Sequence, residues 1–265
     1  MIEPQEILTL NDFVEACEDA YEQFGGTVWY RGHASSNEAW KLQPSVFRAT
    51  TYRFNNKAAQ PYAEINMAHA FRVHAPLRYP HCPSTDDLAG WLSLMQHHGL
   101  PTRLLDWTEA PLTALFFAME GEPDHKTIWA LDPFKLNESA TGSSEVYGLW
   151  EPKIKPLLTP VFESNAARPS DDVAAVHASE IDMRMLMQQG SFTVHASDAP
   201  LEDRPDADQF LRKFVIPPGR IYNFRRAIKV FAINRSNIYP DLTNLALEVR
   251  QMETDSTSRH IVINR

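Results

Sequence analysis

The sequence is poor in cysteine and contains no long apolar run. Cys17 and Cys82, the two cysteines among 265 residues, are too few for a disulfide framework or a structural zinc site, and they fit a reducing cytoplasm. No apolar stretch approaches the ~18 residues that a membrane span needs. The N-terminus lacks the basic start and apolar stretch of a secretory signal. We therefore expect a cytoplasmic protein that makes no contact with a membrane.

Several motifs of cofactor and metal chemistry are also missing. The ten glycines form neither the Gly-x-Gly-x-x-Gly fingerprint of dinucleotide-binding folds nor a P-loop. There is no His-Glu-x-x-His, and the adjacent His97 and His98 would point about 100° apart on a helix, so we expect no metal. The net charge of -9 disfavours a protein that coats nucleic acid by charge alone. A local basic groove is compatible with that charge.

What the sequence does contain is a mixture of helical and strand patterns in a composition typical of globular proteins. The patterns predict helices at 11–24, 62–74, 84–99, 111–119 and 241–251, and extended segments at 27–30, 100–108, 126–132, 189–195 and 214–216. They alternate without a regular βαβ repeat. This favours a single α+β domain over residues 1–265, with small mixed or antiparallel sheets flanked by helices and a polar C-terminal tail at 252–265.

The helical patterns also predict which side chains are buried and how one helix begins. The apolar stripe of the first helix consists of Phe13, Val14, Cys17, Tyr21 and Phe24, and that of the last helix consists of Leu242, Leu245, Ala246 and Val249. The helix at 111–119 is apolar nearly all round, which predicts a central position. We expect Ser84 to cap the start of the helix at 84–99.

The first candidate site segment is Tyr30-Arg31-Gly32, where a cation follows an apolar strand. The guanidinium of Arg31 presents a planar fork of donors that suits phosphate or carboxylate. Gly32 has no Cβ, so a ligand or another backbone could approach closely. The alternative is an arginine that simply pairs with a carboxylate at the strand end.

The second candidate segment runs from Gln96 to Thr108 and places several polar side chains around a leucine pair. In a strand, Arg103 and Leu105 face one way while Leu104 and Asp106 face the other. A buried charge without a partner costs several kcal/mol, so Arg103 and Asp106 must have partners. A structural ion-pair network and a binding site are both open interpretations.

The third candidate segment is Gln188-Gln189-Gly190 at a strand start, where an amide can be aimed at a ligand hydroxyl. The alternative interpretation is an ordinary turn.

A basic stretch follows near the C-terminal end, and it is either a solvated face or a surface for an acidic partner or nucleic acid. Its members are Arg220, Arg225, Arg226 and Lys229.

Together these segments resemble the FRG domain family, which is named for an aromatic-Arg-Gly motif. The resemblance covers about residues 24 to 250. It rests on Tyr30-Arg31-Gly32, on Leu42-x-Pro44-Ser45-Val46-x-Arg48, on the segment from Gln96 to Thr108 with the helix that follows at Pro111, on Gln188 to His195, and on Ile238 to Ala246.

The family is found in bacterial and phage-related proteins and is distantly similar to ADP-ribosyltransferases. The resemblance therefore implies NAD as a candidate substrate, cleavage of its nicotinamide–ribose bond, and a role as a bacterial toxin or phage-defence effector. It implies catalytic roles for Arg31, Asp106, Gln188 and Gln189. It also implies nucleotide-binding roles for Tyr30, Arg31, Gly32, His97, Thr102, Arg103 and Trp107.

In this scheme Arg31 holds the pyrophosphate or ribose, and Tyr30 or Trp107 stacks on the nicotinamide. His97 or Asp106 positions the substrate, and Gln188 or Gln189 forms a hydrogen bond with the ribose 2′-hydroxyl.

Transferases of that fold usually carry a glutamate on the late strand, where this sequence has glutamines. The alternative is thus a module that binds a nucleotide, another anionic small molecule, nucleic acid or protein without turnover. A transferase would also need a macromolecular acceptor, either protein or nucleic acid.

Overall fold

The computed structural model describes residues 2–35, 40–48, 61–121, 124–167, 173–178 and 187–254, with only the backbone described at 61–63 and 252–254. Its strands are β1 (Pro4–Glu6), β2 (Trp29–His33), β3 (Leu104–Thr108), β4 (Lys126–Leu131), β5 (Tyr147–Gly148), β6 (Val173–His177), β7 (Gly190–His195) and β8 (Leu211–Ile216). Its helices are α1 (Leu10–Gln23), α2 (Pro61–His74), α3 (Leu88–His97), α4 (Pro111–Met119), α5 (Pro133–Thr141), α6 (Lys155–Phe162), α7 (Ala207–Phe210), α8 (Ile221–Val230), α9 (Arg235–Ile238) and α10 (Leu242–Thr254).

These eight strands form one mixed sheet in the order β1-β8-β4-β2-β3-β7-β6-β5. β1 runs parallel to β8 and β5 runs parallel to β6, whereas the other neighbours are antiparallel. The α+β class is therefore confirmed. The expected division into small sheets is wrong, because β2 and β3 join the strands into a single sheet.

The junction between β2 and β3 is the weakest part of the sheet. β2 pairs with β4 at five positions, from Trp29↔Leu131 to His33↔Thr127. β3 likewise pairs with β7 at five positions. β2 and β3, in contrast, share the single pair Tyr30↔Thr108. We call this junction the seam; it divides the sheet into two four-stranded halves.

Helices cover both faces of the sheet. On one face, α1, α4 and α8 pack against β2, β4 and β8, and α2, α3 and α6 pack against β3, β6 and β7. On the other face, α5 and α7 cover a cluster that contains Trp29, Leu105, Trp107 and Trp129. Within the described ranges, no helix is long and apolar enough to cross a membrane.

The predicted helices and strands lie close to the observed ones, but the predicted cap of α3 is wrong. The side chain of Asp87, not that of Ser84, accepts a hydrogen bond from the first turn, at the backbone N–H of Gly90. Ser84 instead donates to Asp86 (2.8 Å). Asp87 is better placed because it immediately precedes the first helical residue, which is the N-cap position.

Two predicted apolar stripes are also partly wrong. In α1, Phe13, Ala16 and Ala20 are buried, whereas Val14 and Tyr21 are 45% and 57% exposed. The predicted stripe combined side chains from the inner and outer sides of this helix. In α10, Leu242, Leu245 and Val249 are exposed, because the rest of the described chain does not cover this side of the helix.

Candidate functional site

Arg31 reaches across the seam from β2 to β3. Its Nη1 donates to the backbone carbonyl of Asp106 (2.6 Å) and lies 3.7 Å from the carboxylate Oδ2 of the same residue. Its Nε donates to Nε2 of His33 (3.2 Å). Because Arg31–His33 make no pair with β3, the guanidinium occupies the space that a continuous ladder would fill. The seam is thus bridged by a cation.

Several cationic side chains surround the Arg31 guanidinium and produce a positive electrostatic potential there. Burial lowers the pKa of Arg31 to about 10, and Asp106 opposes that shift, so Arg31 stays charged at neutral pH. Burial also lowers the pKa of Arg48, again against the opposing effect of Asp106. Burial and the cations Arg31, Arg48 and Lys213 hold the pKa of His33 well below its ordinary value. The Asp106 carboxylate thus opposes the effect of burial on the pKa values of both Arg31 and Arg48.

Gln96 of α3 fixes the Asp106 carboxylate. Its Nε2 donates to both carboxylate oxygens, at 2.9 and 3.0 Å. Thr102, which is fully buried, donates from Oγ1 to the Gln96 amide oxygen (2.6 Å) and accepts from the backbone N–H of Leu104 (3.1 Å). This chain of bonds determines which way the Gln96 amide points and restrains a carboxylate whose side chain is 58% exposed.

A cavity of about 60 Å³ lies beside Asp106, between α3, β3 and the residues that lead into β7. Its lining residues are Ser93, Gln96, His97, Asp106, Trp107, Gln188, Gly190 and Phe192. The hydroxyl of Ser93 is buried and has no hydrogen-bond partner within the described ranges. A cavity of this size holds about two water molecules or one small polar group.

Of the two predicted glutamines, Gln188 is the one at the cavity. Its side-chain Nε2 donates to the backbone carbonyl of Ile238 (3.1 Å), and its backbone carbonyl accepts from the Thr108 hydroxyl (2.6 Å). Gln189 is exposed, and its backbone φ of 45° is in the left-handed region that non-glycine residues seldom adopt. The structure therefore brings Asp106, His97 and Gln188 together and leaves Gln189 outside.

Trp107 belongs to a buried relay on the α5 face of the sheet. Its Nε1 donates to Oγ1 of Thr193 (3.1 Å), which lies 2.9 Å from Nε2 of His195. Burial, with help from Arg204, Arg31 and Arg103, lowers the pKa of His195 to about 3, so this ring is neutral at pH 7. With only 3% of Trp107 exposed, its ring has no open face on which a nicotinamide could stack.

Tyr30 and Gly32 point away from Arg31, toward the helices on the opposite face. Tyr30 is buried beside Cys17, and burial raises the pKa of the Tyr30 hydroxyl. A Cβ at Gly32 would lie 2.0 Å from the carbonyl oxygen of Ala114 in α4. Of the two expectations for this glycine, the structure shows the close approach of another backbone.

Arg103 lies in a sealed ion pair. Its Nη2 lies 2.6 Å from Oε2 of Glu64, its Nε donates to the other oxygen (3.2 Å), and its Nη1 donates to the carbonyl of Leu157 (2.9 Å). Both side chains are less than a tenth exposed. This is the structural interpretation that the sequence left open, and Arg103 is not brought to the cavity.

Within the part of the chain that the structure describes, no cluster of three His, Cys, Asp or Glu residues is placed to hold a metal ion.

In the basic stretch, Arg225 donates to the carbonyls of Met119 and Gly121 and so secures the end of α4. Sequence reasoning placed Gln96 in the second candidate segment without giving it a role, and it missed Ser93. Their spacing with His97 places all three on one side of a helix, which was the available signal.

Comparison with known proteins supports the resemblance. Residues 26–127, from just before β2 into β4, match the FRG domain family, so this segment of the chain is similar to that family. The match contains Arg31, Gln96, Thr102 and Asp106, whereas Gln188 lies beyond it. No curated protein and no solved structure matches the chain.

Proposed function

We propose that the seam site binds a dinucleotide of the NAD type and cleaves its nicotinamide–ribose bond. The observation that carries this proposal is the guanidinium of Arg31 bridging the seam beside the exposed Asp106 carboxylate. A pyrophosphate would replace Asp106 as the anionic partner of Arg31 and Arg48. Charge-assisted hydrogen bonds between guanidinium and phosphate are among the strongest hydrogen bonds in proteins.

The volume of the cavity limits what enters it. A space of about 60 Å³ admits a carboxamide or a hydroxyl group, but not a whole nucleotide. Ser93, Gln96 and Gln188 supply polar atoms suited to such a group. The remainder of the dinucleotide would lie over the exposed side of Asp106 and along the seam toward Arg31.

Asp106 supplies the negative charge that this chemistry needs. When the C–N bond to nicotinamide breaks, positive charge develops on the ribose, and a fixed carboxylate stabilises it. Gln96 holds Asp106 with two donated hydrogen bonds and stays uncharged. The carboxylate of Asp106 thereby takes the place of the late-strand glutamate that this sequence lacks. Water or a macromolecular nucleophile would then take the ribosyl group.

The test is to incubate the purified chain with ~1 mM NAD and to measure both its melting temperature and released nicotinamide. We expect NAD to raise the melting temperature, and Arg31→Ala to abolish both the shift and the release. Arg226→Ala, at an exposed arginine on α8, is the matched control and keeps both signals. If NAD produces neither a shift nor nicotinamide, the proposal is wrong.

A second function is a binding module without turnover. It is favoured by the glutamines at 188 and 189 and by the 3.7 Å separation that already pairs Arg31 with Asp106 in the structure. The same experiment separates the two functions. A melting shift that depends on Arg31 without any nicotinamide release would establish the binding module.

A further inference from the structure

α1 carries a second apolar stripe next to the inner one, in which Leu10 and Cys17 still touch the core whereas Val14 and Tyr21 are exposed. The inner stripe of Phe13, Ala16 and Ala20 is buried in the core. The outer stripe consists of Leu10, Val14, Cys17 and Tyr21, at intervals of four, three and four residues, and so follows one side of the helix. A helix that had only the core to cover would not need this second stripe.

The outer stripe lines a groove of about 920 Å³. The opposite wall is formed by Pro111 and Leu112 at the start of α4 and by Phe231 just after α8. Phe231, like Val14 and Tyr21, is about half exposed, although it is large and apolar. The volume is typical of ligand-binding clefts, which span about 300–1,000 Å³. Contiguous exposed apolar surface of this kind marks interaction sites.

The charge around the groove is negative. Glu18, Glu22 and Glu109 line it, together with no lysine, arginine or histidine. α1 as a whole contains five acidic residues and no basic residue. Within the described ranges, neither Glu18 nor Glu22 forms an ion pair. The groove therefore repels the anions that the positive field of the seam attracts, and the two sites require different ligands.

We propose that this groove docks a basic amphipathic helix of a partner protein. Apolar side chains spaced three and four residues apart would enter between Val14, Tyr21 and Phe231, and lysine or arginine on the flanks would face the three glutamates. The outer stripe from Val14 to Tyr21 is ~10 Å long, which matches two turns of such a helix. Recognition of a helix in an apolar groove with complementary charge at the rim is a recurrent mode of docking.

The test uses the full chain and a fluorescent synthetic helix of about four turns that has leucine on one side and lysine on the other. Fluorescence anisotropy should show saturable binding of this peptide. The double variant Val14→Ser, Tyr21→Ser should weaken binding at least about tenfold, since both positions are apolar contacts. Val73→Ser, at an exposed valine of α2 outside the groove, is the matched control and should leave binding unchanged.

A second pair of variants tests the charge. Glu18→Lys, Glu22→Lys should reverse the preference, so that a leucine–glutamate peptide binds more tightly than the leucine–lysine peptide. All four changed positions are exposed or at the groove, and circular dichroism with a melting curve verifies that each variant folds. The response of the variants to NAD should be unaltered, which keeps this test independent of the proposed function.

Several results would overturn the docking proposal. One is no binding of the leucine–lysine peptide at ~1 mM, and another is equal binding by the serine double variant. Equal affinity for the two peptides would also overturn it. A dimer that forms in the absence of peptide and is lost in the serine variant would assign the groove to a second copy of this chain instead.

Discussion

Arg103 and Arg31 both face a carboxylate, but their surroundings differ in nearly every respect. The Arg103–Glu64 pair is 2.6 Å apart, buried, and completed by the carbonyl of Leu157. The Arg31–Asp106 pair is 3.7 Å apart, with 18% of the arginine side chain and 58% of the aspartate side chain exposed. Arg48 and Gln96 also act on Asp106.

This difference separates a structural ion pair from a pair that can exchange partners. In the buried pair all three guanidinium nitrogens of Arg103 donate a hydrogen bond, and removal of either side chain leaves an uncompensated charge. In the seam pair the carboxylate is exposed to water, and the proposed function requires an incoming anion to replace it at Arg31. The comparison makes quantitative predictions for both regions.

The largest expected effect is that of Glu64→Gln. We expect the free energy of unfolding to fall by about 3–5 kcal/mol, because Arg103 stays buried without a counter-charge. Urea denaturation of the variant measures this. The double variant Glu64→Leu, Arg103→Met should recover most of the loss. A change below about 1 kcal/mol would mean that the pair is not structural.

The next effect is a dependence on pH that arises from His195. Its folded pKa of about 3 is below the ordinary value of about 6.5. Between these two pH values, His195 is protonated in the unfolded chain but not in the folded chain. This contribution to stability is complete above pH ~6.5 and is lost as the pH falls toward 3. Between pH 7 and 5 we expect a loss of about 2 kcal/mol from this residue.

Urea denaturation at pH 7 and pH 5 tests the effect, and His195→Gln should have the shallower dependence on pH. His69→Gln, at an exposed histidine of α2, is the control and should retain the dependence of the unaltered chain. Identical profiles for His195→Gln and the unaltered chain would contradict the proposed burial of a neutral ring.

A smaller effect is expected of Thr102→Val, which keeps the shape but removes the hydroxyl that orients Gln96. We expect a loss of about 1–2 kcal/mol, since the backbone N–H of Leu104 and the amide oxygen of Gln96 lose their partner. Nicotinamide release, if present, should fall through a lower kcat. Thr102→Ser should restore both stability and release, and failure of this rescue would exclude the positioning role.

The smallest effect on stability is expected of Asp106→Asn. The exposed pair contributes under about 1 kcal/mol, so the melting temperature should hardly change. Removal of the charge should, however, tighten binding of inorganic pyrophosphate at Arg31 and Arg48, as measured by calorimetry. A stability loss as large as that of Glu64→Gln would show that the two ion pairs are alike.

Local patterns in the sequence identified half of the named helices and five of the eight named strands, because caps, glycines and apolar periodicity act over a few residues. Gly99, with a φ of 77°, ends α3 where expected, and α4 is central as its composition predicted. The assembly of one eight-stranded sheet was not predictable in this way. It depends on pairs such as Trp129↔Lys213, which join residues far apart in the chain.

The candidate site was predicted in part. Asp106, His97 and Gln188 lie together at one cavity, and Arg31 lies next to Asp106 across the seam. Arg103 could not be assigned from sequence, because its partner Glu64 belongs to a separate helix 39 residues away. Successive side chains of a strand point to opposite faces of the sheet, as Leu104 and Leu105 do. The same rule places Tyr30 and Arg31 on opposite faces, so it could have excluded a pocket shared by Tyr30 and Arg31.

Gly32 has one further consequence, for the spacing between layers. A methyl group there would meet the carbonyl of Ala114 at 2.0 Å and the amide nitrogen of Ala118 at 2.6 Å. The missing side chain lets α4 rest directly on the backbone of β2, and this contact sets the height of the helix above the sheet. The position of the Arg31 guanidinium is thus anchored from the reverse side of the strand that bears it. Any redesign that shifts Arg31 along or across the seam must therefore begin by moving α4, which packs on the opposite face of the sheet.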